Sequence, residues 1–272
     1  MRLKITFIAE SVPILYRHRI VSLFKESVKR TDPSYFRELY SFPTPKPYTF
    51  SLALPRGFIL KQLPVQVDSD FTPETHPEEL SALEVFEFPN GGYISLLVST
   101  SDYRFLVSLV NGLVRLGRFN FTNRDEMVVG GKSLSWEVVK VAPLPERRVQ
   151  ELPVTVRTLS PILVEERGGN PILPDNPRFN EAVNFVVNRR LKLLRGRGLR
   201  RPIALEPLKV RKKVVKHTFS YFRRRTGRPI MYLTCSEGTF KLYGDREDIN
   251  FLLDTGIGNK TGQGFGMVEV VS

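Results

Sequence analysis

Gly256-Ile-Gly258-Asn-Lys260-Thr-Gly262-Gln-Gly264-Phe-Gly266-Met-Val-Glu-Val-Val-Ser272 carries five glycines between an amphipathic segment, Asp245 to Leu253, and a Val-rich strand, Met267 to Val271. Glycine adopts positive φ and lets backbone approach a neighbour without a Cβ in the way. Successive exposed N–H groups in such a turn form a concave anion site, to which Lys260 adds a charge. Taken alone, the same run reads equally as a glycine-rich hairpin. Its spacing fits neither G-x-G-x-x-G nor G-x-x-x-x-G-K-[ST]. It also follows a helix and precedes a strand, the reverse of both nucleotide-binding contexts. A polynucleotide backbone is therefore a better guest than a mononucleotide.

Working outward, Leu208–Phe222 and Ile230–Tyr243 read as paired strands, separated by Arg223-Arg224-Arg225-Thr226-Gly227-Arg228. Before them, Asp175 or Asn176 caps a helix with Pro177 in its first turn and Phe179, Val183, Val186, Val187, Leu191 and Leu194 along it. Val154–Val164 is a strand broken by Pro161. The order is strand, helix, strand pair, helix, strand. A stretch with Pro143, Pro145 and Pro153 separates it from a first half of the same order.

There, Leu3, Ile5 and Phe7 alternate as a strand, and Ile20, Leu23, Phe24, Ser27 and Val28 share one face of a helix that Asp32-Pro33 ends. A loop with Pro43, Pro45 and Pro47 leads to strands Tyr48–Leu54 and Phe58–Val67, then a polar insertion at 68–79. Asn90-Gly91-Gly92 predicts a hairpin between Leu83–Phe88 and Tyr93–Val98. A helix N-capped by Ser101 ends at Gly117, and strands return around Phe119–Phe121 and Leu134–Val141. The reading is an α+β chain of two tandem ferredoxin-like (βαββαβ, RRM-like) domains: residues 1–142, a linker at 143–153, and 154–272 with the glycine-rich loop.

The net charge of +13 is unevenly spread, because residues 189–228 hold sixteen Lys/Arg against one acid, Glu206. Such concentration points to a polyanion partner, where solubility alone would need no single-sign field. One cysteine, Cys235, leaves no intramolecular disulfide, and His18, His76 and His217 have no metal-ligand spacing. No metal or other cofactor is expected. No apolar run is long enough for a membrane span and no signal-peptide core opens the chain, so a cytoplasmic setting is expected.

The run Gly256-x-Gly258 through Gly262-x-Gly264-Phe265-Gly266-Met267-Val268 resembles the C-terminal glycine-rich motif of the CRISPR-associated repeat-processing endoribonucleases, members of the RAMP superfamily. Thr158-Leu159-Ser160-Pro161-Ile162 resembles the start of their second domain, and Tyr48-Thr49-Phe50-Ser51-Leu52 their second strand. The resemblance implies two ferredoxin-like domains that bind CRISPR repeat RNA, single-stranded or weakly structured, as part of antiviral defence. It implies a metal-independent cut in which a 2′-hydroxyl attacks the adjacent phosphate and leaves a cyclic phosphate. Such a reaction needs a base, an acid and cations for the charged intermediate.

In typical members the base is a histidine between the first helix and the second strand, aided by a helix-one tyrosine and a loop lysine. Aligned on this chain, the histidine position reads Tyr40, the tyrosine position Lys25 and the lysine position Lys46. These three are the candidate catalytic residues. A tyrosine of pKa about 10 is a poor base at neutral pH; Tyr40 reads equally as a packing or base-stacking residue. His18 lies within reach of the same cleft, His217 reads as a phosphate or solvent contact, and His76 as uninvolved. RNA contacts are expected from Gly256, Gly258, Lys260, Gly262, Gly264, Gly266, Arg189, Arg190, Lys192, Arg195, Arg197, Arg211, Lys213, Arg223, Arg224 and Arg225. The alternatives are a non-cutting RNA-binding paralogue, with room for a homodimer, or a structural subunit among the components of a CRISPR ribonucleoprotein.

Overall fold

The computed structural model describes residues 1–66, 82–120, 128–131, 134–146, 148–166, 168–218, 226–228 and 230–271. The first unit runs β1 (Arg2–Pro13), α1 (Tyr16–Thr31), α2 (Pro33–Tyr40), β2 (Tyr48–Ala53), β3 (Ile59–Gln66), β4 (Ala82–Thr100), α3 (Tyr103–Leu116), β5 (Arg118–Asn120), β6 (Val128–Val129) and β7 (Ser135–Leu144). The second runs β8 (Val154–Thr158), α4 (Phe179–Arg195), β9 (Ala204–His217), β10 (Met231–Tyr243), α5 (Arg246–Thr255), a 3-10 turn (Thr261–Gln263) and β11 (Val268–Val270). The first sheet has the order β5-β7-β1-β4-β3-β6, with β2 also on β4, and the second β11-β8-β10-β9. In the first unit β1 lies between β7 and β4, and in the second β8 lies between β11 and β10. This is the ferredoxin-like arrangement, twice. No helix among the described residues is long and apolar enough to cross a membrane.

The apolar spacing of α1 buries Ile20, Leu23, Phe24, Ser27 and Val28, the face expected from the sequence. Phe24 meets Tyr48 edge-on at 5.4 Å and Phe50 at 5.3 Å, and Tyr48 stacks on Phe105 of α3 at 4.4 Å. This cluster fixes β2, one wall of the site described below. In the second unit Phe179, Val183, Val187 and Leu191 of α4 bury against Val156, Leu205, Phe240 and Leu242 of the sheet.

Several local expectations are corrected. Asn90-Gly91-Gly92 makes no hairpin: Gly92–Ser99 and Val85–Glu87 both pair antiparallel with the single long β1, across a bulge where Gly91 has φ 67°. The two halves of β4 extend one another instead of folding back. Asp32-Pro33 ends α1 but also starts α2, with the Asp32 side chain accepting from the Tyr35 amide and proline in the first turn. Tyr40 is thus the last residue of a helix and not part of a loop. Asp102, one residue after the expected Ser101, caps α3, and α4 starts at Phe179 with no side-chain cap. The expected insertion at 68–79, with His76, lies outside the described residues.

The second unit docks on β2 and β4 through hydroxyl groups that point away from the first core. Thr49 Oγ1 donates to Phe265 O at 2.9 Å, Ser51 Oγ to Leu159 O at 2.5 Å and Ser99 Oγ to Leu253 O at 3.0 Å.

Candidate functional site

The three sequence motifs singled out above meet at this joint. The Met267 carbonyl accepts from the Leu159 and Ser160 amides, the Ser160 hydroxyl accepts from the Met267 amide, and the Gly266 amide donates to Pro161 O at 2.8 Å. From the other side, a Cβ on Gly264 would lie 2.5 Å from the Phe50 ring. A Cβ on Gly266, at φ 68°, would lie 1.9 Å from Ile257 O. These glycines therefore serve close packing. The expectation that Gly256, Gly258, Gly264 and Gly266 form an open RNA cradle is corrected, since all four are buried.

The part of the loop that borders the surface is 258–263, where Asn259, Lys260, Gly262 and Gln263 are half-buried and Gly258 and Thr261 buried. It lines a cleft of 1480 Å³ between the two units, together with Val21 and Lys25 of α1, Tyr40, residues 41–46, and Phe185, Arg189, Arg190 and Leu193 of α4. Lys260 has φ 53°, and the Lys260, Thr261 and Gly262 amides make no hydrogen bond within the described residues. Such a run of unused amides is an anion-binding concavity. The Lys260 side chain itself is ion-paired with Glu165.

Lys25, Tyr40 and Lys46 come together in the cleft. The Lys25 ammonium lies 5.3 Å from the Tyr40 ring centroid and the Lys46 ammonium 5.2 Å. Lys46 donates to Leu39 O at 2.5 Å and Phe42 O at 3.2 Å. Partial burial, with a contribution from the nearby Lys25 charge, lowers its pKa to about 8. The Tyr40 hydroxyl meets the Tyr48 hydroxyl at 3.1 Å, and burial raises the Tyr40 pKa well above its usual value. Such a shift disfavours the phenolate that a base would need. The Tyr40 ring instead holds two ammonium groups side by side, a positioning role. Sequence reading missed Tyr48 as the partner of that hydroxyl, because alternation marks Tyr48 only as core.

The basic band of residues 189–228 does not form one patch. Arg189 faces the cleft, and Lys192 on the same helix is exposed. Arg190 is 6% exposed and donates to Gly258 O and Thr255 Oγ1 at 3.0 Å each and to Gly256 O. It ties α4 to the glycine loop, so its assignment to RNA is corrected. Arg195 is corrected likewise: it pairs at 2.5 Å with Asp248, which is fully buried. Arg197 is paired with Glu247 and Arg211 with Glu237, while Lys213 stands exposed on β9. Arg223, Arg224 and Arg225 lie outside the described residues. Counting charges along a sequence gives no depth, and for that reason Arg190 and Arg195 read as RNA contacts alongside Arg189 and Lys192.

His217 is 2% exposed and hydrogen-bonds Gln263 at 2.9 Å, so it is neither a phosphate nor a solvent contact. Burial lowers its pKa to about 4. His18 is not among the cleft-lining residues. No histidine lines the cleft among the described residues.

Comparison with known proteins agrees with this geometry. Residues 144–270 match the model of the C-terminal domain of CRISPR associated protein Cas6. The chain is 24% identical over 264 residues to CRISPR-associated endoribonuclease Cas6 1 of Methanocaldococcus jannaschii, covering 94% of this chain and 86% of that protein. Its fold is shared with a Cas6-related protein from Pyrococcus furiosus (TM-score 0.70, 20% identity, 100% and 98% of the two chains). It is shared as well with a RAMP protein described as binding different RNA substrates (TM-score 0.69, 20% identity, both chains covered in full). The chain thus carries a match to the Cas6 C-terminal domain over residues 144–270, resembles a Cas6 endoribonuclease along nearly its whole length, and shares the double ferredoxin-like fold of the two solved structures.

Proposed function

We propose that this chain binds CRISPR repeat RNA in the cleft between its two domains and cuts it slowly without a metal, using Lys46 as the base. The family's activity is endoribonucleolytic processing of repeat RNA, and the residues that line the cleft can carry that chemistry. Neutral Lys46 takes the proton of a 2′-hydroxyl, and the 2′-oxygen attacks the adjacent phosphorus. The bond from phosphorus to the 5′-oxygen breaks as that oxygen takes a proton from the Lys25 ammonium. The products are a 2′,3′-cyclic phosphate and a 5′-hydroxyl. Lys25, Arg189 and the free amides at 260–262 face the charge that develops on the phosphoryl oxygens.

The observation that carries this reading is the place of Lys46, partly buried in the cleft on the Tyr40 ring with the Lys25 ammonium nearby, an environment that lowers its pKa to about 8. An amine with that pKa is partly deprotonated at pH 7.5, whereas an ordinary lysine is not. The cut is expected to be slow because most of an amine with a pKa of about 8 is still protonated at neutral pH. Incubating the protein with repeat RNA in EDTA tests the reading: a cyclic-phosphate product supports it, and a divalent-dependent product removes it.

A second reading, an RNA-binding paralogue that does not cut, draws on the burial of Tyr40 at the histidine position. It predicts binding at low salt with no product after hours. One protein per repeat, monomeric or as a homodimer, separates both readings from a structural subunit that coats guide RNA in a ribonucleoprotein with many copies.

A further inference from the structure

The loop between α2 and β2 holds an exposed aromatic ring beside the lysine assigned as base. Phe42 is 70% exposed and lines the cleft, and among the described residues its ring meets no other ring or cation. Leaving a phenylalanine in water forgoes about 1.5–3 kcal/mol of burial, and it is the ring's position in a cleft beside Lys46, not its exposure alone, that argues for a partner. The Phe42 backbone, by contrast, is held firmly. Phe42, Thr44 and Lys46 each precede a proline, which confines them to extended backbone, and Pro43, Pro45 and Pro47 fix φ between them. The Phe42 carbonyl accepts from the Thr44 amide at 2.8 Å and from the Lys46 ammonium at 3.2 Å. Ring and base are thus mounted on one stiff segment, and Lys46 cannot move without disturbing the carbonyl of Phe42.

The opposite wall has a matching character. Phe185, Arg189 and Leu193 recur every fourth residue along α4, so they line one face over two turns of helix. Phe185 and Leu193 are 44% and 59% exposed, with a cation between them. A partner for this cleft must therefore offer flat apolar surface and negative charge together. A nucleobase on its phosphodiester backbone does so, since every base presents a π-face to an aromatic side chain. Glu165 and Glu166 also line the cleft but are paired with Lys260 and Arg178, so an apolar protein segment would bring no charge to match Lys25, Lys46 and Arg189.

Resting on the reading above, we propose that Phe42 is a stacking platform for the nucleobase next to the scissile phosphate and that it orients the adjoining 2′-hydroxyl toward Lys46. Phe42 touches the base and not the reacting atoms, so its role is to position substrate. Stacking of this kind is read as a loss of roughly 5- to 150-fold in affinity or rate when the ring is removed.

The test uses the full chain and repeat RNAs in which 2-aminopurine replaces one base at a time around the cleavage position. Binding is expected to quench one position strongly. Phe42→Ala is expected to abolish that quenching and lower affinity or single-turnover rate 5- to 150-fold, with an unchanged unfolding midpoint because the ring is exposed. Phe42→Trp is expected to restore both signals. If Phe42→Ala binds and quenches like the parent protein, the platform is wrong while the RNA reading stands. If affinity falls but the quenching pattern is unchanged, the ring does not stack on a base and the inference fails. A parent protein that binds no repeat RNA at low salt removes the inference together with the reading beneath it. A platform that instead captures a protein segment would leave RNA affinity unaffected by Phe42→Ala.

Discussion

Gly266→Ala is the perturbation that weighs the role of the glycine loop. The residue has φ 68°, where an L-side chain costs about 1–2 kcal/mol. The added Cβ would lie 1.9 Å from Ile257 O and 2.9 Å from Ile257 N, so the backbone must shift. Overpacking of this kind costs about 1–3 kcal/mol. The shift also breaks the hydrogen bond from the Ile257 amide to Gly266 O, now 2.8 Å, for about 1 kcal/mol more. The sum is a loss of about 3–6 kcal/mol, a large share of a typical stability of about 5–15 kcal/mol.

Gly57→Ala is the control, because Gly57 has φ 79° but no heavy atom within 4 Å of an added Cβ. It should lose only the backbone contribution, about 1–2 kcal/mol. Urea unfolding of both variants, read by tryptophan fluorescence from Trp136, gives the comparison. If Gly266→Ala falls within about 1 kcal/mol of Gly57→Ala, the loop is not the packed joint described above. Gly262→Ala completes the series. Its Cβ would lie 2.9 Å from Lys46 Cβ and Cγ, at the backbone end of a side chain on the stiff proline-alternating loop, so the loop must shift at a cost of about 1–3 kcal/mol. Displacing Lys46 should also slow cleavage roughly 10- to 100-fold.

Adjacent arginines on α4 should behave oppositely. Arg190→Ala leaves three buried acceptors without a charged donor and should destabilise the fold by about 3 kcal/mol in urea unfolding. Arg189→Ala should leave stability unchanged but weaken RNA binding and lower the slope of log affinity against log salt by about 1. The His217 imidazole, with its pKa lowered to about 4, should stay neutral at pH 5.5 by NMR titration. Because the folded pKa lies below the unfolded value of about 6.5, the unfolded chain binds more protons in that window. This residue's contribution is complete above pH 6.5 and is lost as pH falls toward 4. A fully protonated ring at pH 5.5 would contradict its burial against Gln263.

The order of elements was legible because it follows from patterns that need no tertiary knowledge. Alternation in Leu3, Ile5 and Phe7 and the single face of Ile20, Leu23, Phe24, Ser27 and Val28 give β1 and α1 directly. The misread hairpin at Asn90-Gly91-Gly92 had correct turn chemistry, but β1 is long enough to pair with both flanking runs, and no local signal records that. Helix α2 was legible and overlooked: Asp32-Pro33 is an N-cap followed by a first-turn proline. At the site, Lys25, Tyr40 and Lys46 were found through the family resemblance and do converge. The burial of Arg190 and Arg195 was out of reach, because their carbonyl and carboxylate partners lie 50 or more positions away. Phe42 carried a signal in its proline-alternating loop that charge counting passed over.

The most direct measurement is the pH dependence of single-turnover cleavage of repeat RNA in EDTA, run in parallel for Lys46→Arg. With Lys46 as base at a pKa of about 8, the rate should rise about tenfold per pH unit below 8 and level off above it. Lys46→Arg keeps the charge but cannot give up a proton, so it should bind RNA and make no cyclic-phosphate product. A pH-independent rate, or a Lys46→Arg protein that cuts like its parent, would contradict the account.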